Sequence, residues 1–235
     1  MIKKHLPWIM FTFVSLFLIM ACTPPLYYPN NRTIFDGDTA HTQLAQVAVG
    51  GNGFDLAIAK KMEGDDFVFF DFSYDKKDHS DSLEKEFHKH YYGEFGYGTN
   101  KKAEIFNFNL LLGTGLGITE SYDNNTWFGT DNHGSFIKGF LQFDGSLDSP
   151  IGAAGLSSRF SYVYFYNAVE KRVNGNKIVI NKDRVFYEPT LFLNFGSREF
   201  RIETQLGLVI PVTPESEDDF SYEPGYLSIG IKYYW

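Results

Sequence analysis

Two histidines separated by one residue, His88 and His90 in HKHYYGEFG, share one face of an extended segment with Glu94, and Asp78, His79 and Asp81 precede them. Imidazoles at i and i+2 of a strand can both reach a metal ion from a rim. A zinc site takes three or four protein ligands. No third ligand stands at suitable spacing, so these residues read as polar filler, and neither metal nor cofactor is expected. The run GTGLG (113–117) lacks the last spaced glycine of a dinucleotide loop and no helix follows it. Its inward glycines are expected to make room for bulky neighbours. His133 and Ser135 lie close enough in sequence to suggest a base and a nucleophile, but no third partner or oxyanion donor can be named. Neither G-x-S-x-G nor H-E-x-x-H occurs. No enzymatic activity is expected.

The only cysteine, Cys22, sits in LFLIMACTPP. One sulfur cannot form an intrachain disulfide, and it is too few for a thiolate zinc site. Lys3 and Lys4 form a basic start, an apolar run follows from Leu6 to Met20, and Ala21 places a small residue before the cysteine. This is the three-part layout of a secretory signal. The apolar run is short for a spanning helix, which needs about 20 residues. Ile19-Met20-Ala21-Cys22 resembles a bacterial lipobox, which implies cleavage before Cys22 and an acyl lipid on its sulfur. On that reading residues 1–21 are a lipoprotein signal peptide and 22–41 a lipidated N-terminus and linker, rich in proline and turn formers without a period. Residues 42–235 form the folded domain.

Removing the signal takes away two lysines and no acid, so the formal charge of −8 becomes −10. That balance argues against nucleic acid, whose phosphates need clustered Lys and Arg. Aromatic residues make up 18% of the chain, with 24 Phe and 15 Tyr, although mean hydropathy is only −0.23. A membrane barrel uses such rings in its lipid-facing band and interfacial girdles. After the signal no run is long and apolar enough for a transmembrane helix. A spanning domain must then be a closed barrel.

Period-two runs alternate with polar turns from residue 42 to the end. Strands are expected at 42–50, 53–61, 66–75, 88–98, 103–118, 135–147, 155–167, 184–195, 199–211 and 224–235. In EIFNFNLLLGTGLGI, Phe106, Phe108, Leu110, Leu112, Leu116 and Ile118 share one face, while small or polar residues dominate the other. Several runs reach the roughly 9–11 residues of a membrane-crossing strand. MEGDD, GTNKKA, DSPIGA and FGSRE make short connections; longer polar segments lie between them. Outer-membrane barrels show this asymmetry, with short periplasmic turns and long external loops. With GGNG (50–53) as a hairpin turn, the expectation is an all-β, antiparallel up-and-down transmembrane β-barrel of about ten strands with both barrel termini on the periplasmic side. The terminal YLSIGIKYYW resembles the closing strand of outer-membrane barrels.

The same alternation points Asp55, Asp71, Glu94, Lys138, Asp144, Arg159, Glu188, Arg201, Glu203 and Lys232 into the lumen. A charge facing lipid at mid-depth costs about 2–4 kcal/mol, which makes the inward assignment the cheap one. Ten strands enclose a narrow bore, and this mixed set is expected to fill it with ion pairs.

The whole chain resembles a Bacteroidota-type outer-membrane lipoprotein with a small barrel. That resemblance implies a bacterial outer-membrane location, with the lipid on the periplasmic side and long loops outside. Membrane lipid and a larger outer-membrane complex are the expected partners. Asp38-Thr39-Ala40 and Asp81-Ser82-Leu83 resemble O-glycosylation acceptors, with Thr39 and Ser82 as the modified residues. The expected role is a structural or accessory subunit, or a surface-loop interaction protein. The rivals are a narrow channel for small solutes and a lipid-tethered periplasmic ligand-binding barrel.

Overall fold

A computed structural model describes residues 26–35, 42–80, 85–123, 130–171, 177–213 and 222–235. Cys22, Thr39, Asp81 and Ser82 lie outside the described residues. The strands are β1 (Gln43–Gly50), β2 (Gly53–Lys61), β3 (Asp66–Ser80), β4 (Lys85–Ala103), β5 (Phe106–Asp123), β6 (Thr130–Ser149), β7 (Gly152–Lys171), β8 (Lys177–Gly196), β9 (Phe200–Leu208), β10 (Ile210–Pro211) and β11 (Gly225–Tyr234). Sequence neighbours pair antiparallel, and β1 returns to β11 with Val47 opposite Ile231. β10 continues β9 past Val209 and stays on β8, so the wall is a closed ten-strand barrel. Closure removes the free edges that an open sheet would expose.

Most wall strands run further than their apolar alternation. The segments expected as loops after β3, β5 and β7 pair as polar arms, with Ser80 opposite Lys85, Asp123 opposite Thr130 and Lys171 opposite Lys177. Alternation marks only the part of a strand whose two faces differ in polarity. Ladder hydrogen bonds join backbone groups and need no apolar side chain to continue.

The outer face is apolar. Leu112 is 64% exposed, Leu116 62% and Phe95 61%, while Asn107 and Asn109 on the opposite face of β5 are buried. Along β4 the outward positions from Tyr91 to Lys101 cover the depth of about 9–11 residues that a bilayer requires. Lys89 Nζ lies 4.9 Å from the Tyr91 ring centroid at one margin. At the other margin Lys101 meets Asp65 at 2.5 Å and Lys102 meets Asp148 at 2.8 Å. The Lys101 ammonium holds the exposed Asp65 carboxyl below its usual range.

Inside, rings lie over glycines. Six luminal aromatics stand directly across the ladder from a glycine: Phe67 from Gly98, Phe69 from Gly96, Phe136 from Gly117, Phe140 from Gly113, Phe192 from Gly155 and Tyr226 from Gly207. A Cβ added to any of these glycines would collide with the facing ring. The GTGLG glycines thus make the space the sequence suggested, with Gly115 facing the Tyr92 hydroxyl. The luminal rings have room against the wall because the facing position has no side chain.

Gly117→Ala is therefore expected to force Phe136 off its position and cost about 1–3 kcal/mol. The temperature at which the folded, fast-migrating gel band is lost would fall. Unchanged thermal behaviour would show that the ring does not rest on this glycine.

Candidate functional site

All ten residues pointed inward by alternation lie buried on the luminal face. They gather into several groups. Arg159 Nη1 lies 3.0 Å from Glu94, which also accepts from Tyr92 Oη at 2.7 Å. Arg159 Nε donates to Gln142 Oε1 at 2.7 Å, and Gln142 Nε2 donates to Asp144 Oδ1 at 2.9 Å. Lys232 Nζ lies 2.6 Å from Glu203, whose carboxylate accepts from Gln46 and Gln205 at 2.9 and 2.8 Å. Arg201 stands over the Tyr234 ring at 5.7 Å. Lys138 Nζ lies 3.7 Å from Glu188.

The remaining partners come from an unexpected source. Residues 26–35, expected to belong to a linker, run through the bore, and nine of the ten are buried. Their upper end lies on the arm side of the barrel. Tyr27 bridges to Tyr222, its carbonyl accepts from Glu223 N at 2.8 Å, and Asn52 Nδ2 donates to Pro29 O at 3.0 Å. Their lower end meets the short-turn side, where Asn109 Nδ2 donates to Phe35 O at 2.8 Å and Phe35 stacks on Phe67 at 4.9 Å. The segment thus descends the lumen from the arm end, and β1 then starts upward from the opposite end.

Its sequence matches what it meets. Leu26 and Tyr27 join an aromatic cluster with Phe136, Phe165 and Phe186, and Phe35 joins another with Phe67, Phe69 and Phe140. Between these apolar ends, Asn31 Nδ2 donates to Asp55 at 2.5 Å. Asn30 Nδ2 and Thr33 Oγ1 donate to Asp71 at 3.3 and 3.1 Å. Arg32 forms an ion pair with Glu188, which also accepts from Tyr27 Oη at 2.8 Å. Backbone groups are matched as well: Gln205 accepts from Arg32 N and donates to Arg32 O, both at 2.8 Å. Lys232 Nζ donates to Ile34 O at 2.9 Å. Proline and turn formers resemble a tether in sequence because, beyond the bridge at Tyr27, the described segment pairs with no strand. Side chains of the wall meet much of its backbone instead.

The histidine group is rearranged relative to expectation. Glu94 is committed to Arg159 and Tyr92, not to the histidines. The carboxylate beside them is Asp75, the cross-strand partner of His90. His88 Nε2 lies 3.0 Å from His90 Nδ1 and 3.9 Å from Asp75 Oδ2, and one ligand atom from each of the three residues falls within a 4.8 Å group. Sequence spacing misses Asp75 because a hairpin register, not a motif, brings it there. Asp78 lies exposed further along β3. His133 and Ser135 both occupy β6, with Glu120 of β5 opposite His133.

No protein-family model matches the chain, and no curated protein matches it. Among solved structures it is similar to the translocator domain of the autotransporter NalP from Neisseria meningitidis, with 11% identity, a TM-score of 0.47, and coverage of 83% of this chain and 87% of that one. It is also similar to a major outer membrane protein from Thermus thermophilus, with 10% identity, a TM-score of 0.41, and 83% and 100% coverage. LpxR from Salmonella typhimurium matches at 8% identity and a TM-score of 0.38, with the same two coverages. These likenesses assign no activity.

Arg32→Ala would leave Glu188 short of its plug cation inside the bore. Breaking a buried pair by removing one partner costs about 3–5 kcal/mol, and the nearby Lys138 sets the expectation at the low end, about 3 kcal/mol. Urea unfolding followed by gel mobility should show the loss, with partial recovery in Arg32→Lys. A variant as stable as the parent would mean that Arg32 does not sit against Glu188.

Proposed function

We propose that this chain is a non-enzymatic outer-membrane barrel closed by its own N-terminal segment. Its polar arms would serve as an interaction surface, toward external ligands or a larger membrane complex. The observation that carries the reading is the occupied bore: residues 26–35 fill the path a solute would take and bind the luminal charges that could line it. An apolar outer face with charged residues inside supports a membrane setting, because lipid inverts the usual arrangement of a water-soluble barrel. A periplasmic ligand-binding barrel would need the reverse pattern. A narrow channel remains as the second reading only for a state in which the segment has left the lumen.

The direction of the plug supports a different placement of the lipid from the periplasmic one expected. Leu26 is buried near the arm end, and four residues of chain span at most about 14 Å. On this reading Cys22 would lie on the arm side. An acyl lipid on Cys22 and the long arms would share one side of the membrane. With the arms outward, the lipid enters the outer leaflet.

Purified full-length protein is expected to be silent in planar lipid bilayers. A variant with residues 26–35 replaced by glycine and serine, still folded by gel mobility, should conduct. Steady conductance from the unaltered protein would overturn the closed-barrel reading in favour of a channel. Silence of the folded replacement variant would mean that the segment is not what closes the bore.

A further inference from the structure

We propose that Asp75, His88 and His90 form a binding site for a divalent d-block cation of the zinc class at the arm end of the lumen. The inference is independent of whether the barrel is closed or conducting.

The site follows from two strands and one register. His88 and His90 are alternate residues of β4, so both imidazoles point inward. Asp75 of β3 stands directly opposite His90 and is also inward and buried. A tetrahedral zinc ion with ligand bonds of about 2.0–2.1 Å holds its donor atoms roughly 3.3 Å apart. The observed separations, 3.0 Å between the two ring nitrogens and 3.9 Å from His88 Nε2 to Asp75 Oδ2, fall on either side of that value.

The surroundings also suit a ligand set. Ser73, two residues before Asp75 on the same luminal face, has its Oγ 3.2 Å from His90 Nε2. Acceptance of an Nε2 proton by that hydroxyl leaves the His90 Nδ1 lone pair for a metal, and partners on the far nitrogen commonly fix the tautomer of a ligating histidine. Tyr28 of the plug packs its ring 4.0 Å from that of His88 and 5.0 Å from that of His90. The site is thereby shielded on the plug side, and three protein ligands leave one coordination position for water or an external donor. Two imidazoles and one carboxylate favour zinc, nickel, cobalt or copper over calcium and magnesium, which prefer all-oxygen shells.

The test is calorimetric titration of zinc into the full chain, purified in detergent without a histidine tag and stripped with chelator. One zinc should bind per chain, and neither calcium nor magnesium should compete. His88→Ala/His90→Ala should abolish this binding, and Asp75→Asn should weaken it by more than tenfold. Ser73→Ala should weaken it about tenfold, whereas His133→Ala should leave it unchanged. Cobalt should give the absorption of a four-coordinate ion, providing a readout that does not depend on affinity. Gel mobility before and after boiling establishes that each variant is folded; if the double variant fails to fold, Asp75→Asn and the cobalt spectrum decide. Absence of zinc binding by the parent protein would overturn the proposal. So would zinc binding that survives in the folded double variant, or that is lost equally in His133→Ala.

Discussion

A carboxylate inside a closed barrel must be met by a cation or by hydrogen-bond donors, because burying it alone costs several kcal/mol. The wall of this protein carries Asp55, Asp71, Glu94, Asp144, Glu188 and Glu203 on its inner face. Wall residues serve part of that set: Arg159 reaches Glu94, Lys232 reaches Glu203, and Gln142 reaches Asp144. For Asp55 and Asp71 the plug supplies Asn31, Asn30 and Thr33, and for Glu188 it supplies Arg32 and Tyr27. The central charges of the wall and the plug therefore specify one another. Ten strands hold such a segment because glycines opposite the luminal rings keep a path open between two aromatic layers.

Much of the wall is legible in the sequence. Ladder geometry and lipid both impose a period of two, so Phe106 to Ile118 displays its lipid face directly and the inward charges follow by alternation. The ends of strands are less legible, because Ser80 and Lys85 can pair without any apolar pattern to announce it. Residues 26–35 read as a tether for a related reason. LYYPNNRTIF has no period, and its partners lie far along the chain, from Asn52 to Lys232. The one available signal is compositional: a tether has no need of Leu26, Tyr27, Ile34 and Phe35, which are all buried. Arg184, also buried and luminal, is absent from the expected inward set although it lies four residues before Glu188 on the same strand face.

A self-plugged barrel divides the molecule into parts with different tasks. The apolar belt meets lipid, the luminal network fixes the N-terminal segment, and the polar arms of β3–β8 extend past the belt on one side. Residue 26 lies toward the arm end, so on the proposed reading a lipid at Cys22 would hold the arms close to the membrane surface and restrict how they present themselves to a partner. His88, His90 and Tyr28 sit where plug and arms meet, so chemistry at that point touches both.

The most direct measurement is a crosslink between plug and wall in the folded, membrane-embedded protein. Asn31→Cys and Asp55→Cys would be combined with a protease site placed in residues 36–41, and the two thiols joined by a short bridging reagent. The structure predicts that on a denaturing gel the N-terminal segment stays attached to the barrel after cleavage only when both cysteines are present and bridged, because Asn31 and Asp55 touch across the lumen. Failure of the thiols to bridge in a barrel that is demonstrably folded would contradict it. The segment would then lie outside the bore, and the luminal carboxylates would need other partners.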